Sequence, residues 1–212
     1  MGVDFLVDAV SSLGAEELSV EEYNMTFCSS AANKAIGSLP GLSFVCGKRS
    51  AFEQLKGLIP RTKYLDLYRY YEYAEGYVQT PNTPAVSLFF ALDEALSELL
   101  SMTVDKQIQH YAKLAKILRQ GLKERGFSFV VEEEYMSSVL TCIYYPEGID
   151  VELFHHLLKE QHYVIYQCKG PLQNRAFQIA NIGAIKQEHI YGVLNAIDGV
   201  LKVCHKNRNV LV

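Results

Sequence analysis

The chain has 212 residues, enough for one or two domains with a sizeable core. Hydrophobic residues make up 49% and charged residues 21%, the balance of a soluble globular protein. Lys plus Arg total 20 against 24 Asp plus Glu, and the net charge of −4 gives no footing for nucleic acid or an anionic membrane. The 5 cysteines show no C-x-x-C spacing, so neither a zinc site nor a disulfide framework is indicated, and reduced thiols in a cytoplasmic protein are the simplest account. No basic segment followed by a long apolar run opens the chain, and no apolar stretch is long enough to cross a bilayer.

Residues 4–9 read as a buried strand, and the acidic stretch 15–22 as a connector. Residues 24–29 read as a second strand. Pro40-Gly41 makes a turn, and Leu42–Cys46 a third strand, close enough to pair antiparallel with the second. A short helix is expected over 48–57. Residues 60–82 read as irregular and tyrosine-rich, and Tyr64, Tyr68, Tyr70, Tyr71, Tyr73 and Tyr77 suit either an interface or packing under loops.

Thr83-Pro84 opens the clearest helix, with Thr as N-cap and Pro at the first helical position. Phe89, Leu92, Leu96 and Leu99, at steps of three and four, are expected to form its core stripe. A second long helix runs from Val104 to Arg125 with Ile108, Tyr111, Leu114, Leu118 and Leu122 on one face and Gly126 as C-cap. Beyond it, Phe127–Val131 and Val139–Tyr145 read as strands around an acidic turn. A helix over 150–161 has Asp150 as N-cap, strands follow near 163–167 and 177–181, and a last helix spans 186–204. Strands with helices on one side suggest a small α+β domain over 103–212, after a first domain over 1–102.

Two residues suggest chemistry. Lys34 sits among small residues, Cys28–Gly41, just past a strand, where a planar ring could approach a lysine able to form a Schiff base. A solvated loop lysine is the simpler alternative. Asp8 closes the strand 4–9, and ligands bind at the carboxyl ends of parallel strands. A carboxylate there could face a protonated pyridine nitrogen, as in pyridoxal phosphate sites, or serve as a cap or turn acid.

In order along the chain come Leu6-Val7-Asp8-Ala9-Val10-Ser11-Ser12, Ser30-Ala31-Ala32-Asn33-Lys34, Leu39-Pro40-Gly41-Leu42-Ser43-Phe44-Val45, Leu65-Asp66-Leu67-Tyr68, Thr80-Pro81-Asn82-Thr83, Tyr163-Val164-Ile165-Tyr166 and Asn181-Ile182-Gly183. With these motifs the chain resembles the class V, fold-type I aminotransferases, and within them most resembles the 2-aminoethylphosphonate–pyruvate type. The resemblance implies an α/β fold: part of a fold-type I large domain with a few mostly parallel strands, then a small α+β C-terminal domain. It implies pyridoxal 5'-phosphate as cofactor, held by Lys34 as the catalytic lysine, with Asp8 on the ring nitrogen and Thr83 reaching the phosphate across a subunit boundary. Thr83 is equally a plain helix cap.

The resemblance implies transfer of an amino group between a primary amine and a 2-oxo acid. Two positions depart from the family. Gln178 stands where the family has a substrate-pairing arginine; it can hydrogen-bond but carries no charge and no bidentate fork. Arg175 lies nearby and reads as a solvated surface arginine. Ala31 stands where a serine is common. The chain also starts at the Asp8 strand, so the C-terminal portion of such an enzyme is expected, as a homodimer or with a chain supplying the N-terminal part. A non-catalytic remnant serving as an oligomerising domain, and a related enzyme with different substrate chemistry, stay open beside it.

Overall fold

Three short strands open the chain: β1 (Leu6–Asp8), β2 (Phe27–Ala31) and β3 (Ser43–Gly47). In this computed structural model, which describes residues 3–208, the chain divides into two units, Met1–Met102 and Thr103–Val212. In the first unit β1 pairs parallel with β2, and β2 pairs antiparallel with β3. The sheet is therefore mixed rather than mostly parallel: the turn at Pro40-Gly41 is too short to carry a parallel crossover. The connector between β1 and β2 covers one sheet face, where Leu13, Leu18 and Val20 pack on buried Ala9, Met25 and Cys28.

Helix α1 (Arg49–Gln54) follows β3, and α2 (Leu67–Tyr77) lies where the sequence reads as irregular. Its helix is made by a cap and by tertiary contacts rather than by propensity. Asp66 accepts from the Arg69 amide at 3.2 Å. The Tyr71 ring stacks on Phe52 at 5.0 Å, its hydroxyl donates to Glu53, and Glu75 pairs with Arg49. Val78, at φ 53, ends the helix. Tyr70 and Tyr71 thus have packing partners inside the unit, while Tyr64 and Tyr77 stay exposed.

Helix α3 (Val86–Met102) starts later than Thr83-Pro84 suggests. Its first turn hangs from the Ala85 carbonyl, which accepts from Leu88 and Phe89. Thr83 is not its N-cap and Pro84 precedes its first turn. Only Ala95 and Leu99 are buried along α3; Phe89 and Leu96 of the expected stripe are exposed.

In the second unit α4 (Val104–Glu124) buries Tyr111, Leu114, Leu118 and Leu122, and Gly126, at φ 79, takes the left-handed position past its end. Strand β4 (Leu140–Tyr144), helix α5 (Val151–Glu160), the two-residue strand β5 (Tyr166–Gln167), strand β6 (Ala176–Ala180) and helix α6 (Gln187–Arg208) complete it. The sheet order is β4-β6-β5, all antiparallel. Residues 127–131 do not form a strand: a single bridge, Phe129 to Ile143, is made there. The core joins Leu114, Leu118 and Leu122 to Phe154, Leu158, Phe177, Leu194 and Ile197. Asp150 caps α5 through the Leu153 amide at 3.0 Å. Among the described residues no helix is long and apolar enough to cross a membrane.

Candidate functional site

Parallel pairing brings the carboxyl ends of β1 and β2 side by side, with Asp8 in register with Ser29. Two further bonds fix the junction. The Ala9 amide donates to the Ser29 carbonyl at 2.8 Å, and the buried Ser30 hydroxyl donates to the Ala9 carbonyl at 3.1 Å. Strand alternation turns Val7, Cys28 and Ser30 toward the covered face and leaves Asp8 and Ser29 on the other. Asp8 is exposed there. Its Oδ1 accepts from the Val10 amide at 3.0 Å, an Asx-type turn, and Oδ2 makes no hydrogen bond among the described residues.

Lys34 stands in the tight loop that leaves β2. Its carbonyl accepts from the Gly37 amide at 2.9 Å, Ser38 donates to Ala32 at 3.0 Å, and Ala32 donates to Leu42 at 3.1 Å. Buried Ala32, Ala35 and Ile36 anchor the loop, and Gly37 has the positive φ of 83 that its turn requires. The Lys34 ammonium has no hydrogen-bond or ion-pair partner among the described residues, Asp8 included. At Gly41 a Cβ would lie 2.7 Å from Leu88 Cδ1, so the turn closing this loop abuts the first turn of α3.

Thr83 lies on the exposed segment between α2 and α3. It lines a cavity of about 730 Å³ with Thr80, Asn82, Pro84, Val86 and Phe89 among others. Gln178 belongs to the other unit. It sits in mid-β6 opposite Cys142, and its amide donates to the Cys142 sulfur at 3.5 Å. Arg175 is exposed.

Three polar groups were not singled out by sequence. Ser30 links the strand ends. Ser38 Oγ, in the Lys34 loop, and Arg69 Nη1, at the foot of α2, are buried without a hydrogen-bond partner among the described residues. A serine on the covered face of a strand, in phase with Cys28, is the pattern that could have found Ser30.

The family model described as Aminotransferase class-V matches residues 1–176. An uncharacterized aminotransferase of Methanocaldococcus jannaschii is 30% identical over 200 residues, covering 93% of this chain and 52% of the relative. A 2-aminoethylphosphonate–pyruvate transaminase of Phocaeicola vulgatus is 32% identical over 204 residues, covering 95% of this chain and 56% of the relative. Among solved structures, alanine–glyoxylate aminotransferase from Nostoc sp. superposes with a TM-score of 0.86 at 27% identity, over 94% of this chain and 54% of that one. The chain spans about half the length of the relatives it matches.

Proposed function

The chain belongs to the class V aminotransferases, whose cofactor is pyridoxal 5'-phosphate, and from that membership we propose that it is a transaminase, or a portion of one, whose cofactor lysine is Lys34. The proposed reaction moves an amino group between a primary amine and a 2-oxo acid, with 2-aminoethylphosphonate and pyruvate as the substrate pair suggested by the named relatives. A homodimer in the cytoplasm is the proposed setting.

The observation that carries this reading is the presence of two uncommitted, opposite charges, one at the end of β1 and one in the loop that leaves the neighbouring β2. Among the described residues Asp8 Oδ2 and the Lys34 ammonium each lack a partner, and they do not neutralise one another. The donor set fits the cofactor: a primary amine for its aldehyde, a carboxylate for its ring nitrogen, and small residues around the lysine for its plane. When bound, the cofactor supplies an aldehyde for amine chemistry and a ring that accepts electron density. Lys34 would hold it and, as a neutral amine, move a proton to and from the carbon that bears the amino group. Asp8 would keep the ring nitrogen protonated by its negative charge. Thr83, with a hydroxyl that makes no hydrogen bond among the described residues, would offer that donor to a phosphate. Gln178 would meet the substrate as a neutral amide, which favours weaker capture of an anionic group than a guanidinium gives.

A non-catalytic oligomerising role is the second reading. It is favoured by the apolar side chains that α3 leaves exposed, Phe89, Phe90 and Leu100 among them. One experiment separates the two. The protein is incubated with pyridoxal phosphate, reduced with borohydride and peptide-mapped. A reduced adduct on Lys34, absent from Lys34→Ala, supports the transaminase reading. Adducts scattered over surface lysines, unchanged by that substitution, leave the oligomerising role.

A further inference from the structure

The cysteine spacing carries no signal in the sequence, but the strand register pairs two of the thiols. Cys28 of β2 stands directly opposite Cys46 of β3, and cross-strand partners project from the same face. The flanking bonds define the type of pair. Ala32 donates to Leu42 and Lys48 donates to Thr26, so in the same alternation Cys28 and Cys46 form a hydrogen-bonded pair. Such pairs have Cα atoms about 5.5 Å apart, inside the range that a disulfide spans. Their Cβ atoms lie up to about 5.5 Å apart, whereas a relaxed disulfide prefers about 3.8 Å, so closure draws the strands inward and leaves a bond that is easily reduced. Access is unequal. Cys28 is buried beside Ala9 and Met25, and Cys46 is exposed.

We propose that Cys28 and Cys46 are an oxidation site at which a peroxide closes a reversible cross-strand disulfide around the hairpin that carries Lys34. The exposed Cys46 reacts first. Its sulfur, losing its proton, attacks one peroxide oxygen; the O–O bond breaks, a sulfenic acid forms and one water leaves. Cys28 then gives up its thiol proton as its sulfur attacks the Cys46 sulfur. The S–O bond breaks, a second water leaves and the S–S bond is made. The two sulfurs lose two electrons, and the peroxide takes them up. Burial, with Cys46 and Asp8 adding to it, pushes the Cys28 thiol up, which fits its place as the second, resolving group. The closed ring includes Ser29–Val45 and therefore the Lys34 loop. The proposal does not depend on what Lys34 does.

The test uses the 212-residue protein with Cys142, Cys168 and Cys204 replaced by Ser, beside the unaltered chain. Both are treated with hydrogen peroxide, blocked with a thiol reagent and peptide-mapped without reduction. The expected result is a Cys28–Cys46 linked peptide in both proteins, a mass loss of two hydrogens, and full reversal by millimolar glutathione. Cys28→Ala should stop the reaction at an oxidised Cys46, and Cys46→Ser should leave Cys28 as a free thiol. Should Cys28→Ala fail to fold, Cys46→Ser and the linked-peptide map still decide. Oxidation of Cys46 without linkage, linkage of Cys46 to another cysteine or to a second chain, or a bond that glutathione does not open would each overturn the proposal.

Discussion

The Ser30 hydroxyl donates to the Ala9 carbonyl at 3.1 Å, a buried bond that ties the chain just past β1 to β2, the strand that leads into the Lys34 loop. The same carbonyl also accepts from the Ser12 and Leu13 amides, so it is not orphaned when the hydroxyl goes. Ser30→Ala should therefore cost about 1 kcal/mol, the net worth of one hydrogen bond, and not the larger penalty of an unsatisfied group. Urea unfolding followed by circular dichroism measures this. A loss several times larger would mean that Ser30 holds more than this junction.

His155 on α5 predicts an acid-sensitive second unit. The Tyr145 hydroxyl bonds its Nε2 at 2.5 Å, and the ring also bonds the Ile165 backbone. Burial holds the imidazole below its ordinary value of 6.5, while the backbone bond opposes this; burial also pushes the Tyr145 phenol up to about 12. Because the folded-state value is the lower one, the unfolded chain binds more protons as pH falls through the ordinary histidine value. The stability from neutral His155 is present above the unfolded value and is lost as pH falls toward the folded one. The urea midpoint should drop as pH falls below the ordinary histidine value of about 6.5. His155→Gln should flatten that stretch of the curve, and an unchanged slope would assign the drop to other groups.

Helix ends and short-range pairing were legible in the sequence because their causes are local. Asp150 does cap α5, Gly126 does take the left-handed position after α4, and the Pro40-Gly41 turn does pair β3 antiparallel with β2. Helix α2 was not legible, since its tyrosines have no strong helical preference and are held by Phe52, Glu53 and Arg49, which the local pattern does not reveal. The α3 stripe does lie on a helix, but of its four residues Leu99 alone is buried, because periodicity says which residues align and not what covers them. At the candidate site the strand-end position of Asp8 and the loop position of Lys34 were legible. The Ser30 tie and the opposed cysteines were not, because both depend on register.

Gly121 tests the packing of α4 on α6. A Cβ built there would collide with Leu194 Cδ1, and Leu194 is itself buried. Gly121→Val gains a few tenths of a kcal/mol in helix preference but must displace a packed leucine, so a net loss of about 1–3 kcal/mol is expected. Differential scanning calorimetry gives the value. A neutral or stabilised variant would show that Leu194 has a second rotamer to move into.

Asp8 separates a ligand-binding carboxylate from a turn acid. The Val10 amide needs only an acceptor, and the asparagine carbonyl of Asp8→Asn supplies one at the same place. Asp8 is exposed, so the substitution should leave folding stability within about 0.5 kcal/mol of the parent. The charge, however, is gone. A hydrogen bond between a carboxylate and a protonated ring nitrogen is worth roughly 1.5–3 kcal/mol, which corresponds to an affinity loss of about ten- to a hundredfold for pyridoxal phosphate. Spectroscopic titration of both proteins, beside Lys34→Ala, measures it. Weakened binding at unchanged stability is the signature of a group that faces the cofactor. Equal affinity in Asp8→Asn would leave Asp8 as the acid of the Val10 turn, and the cofactor reading would then rest on Lys34 alone.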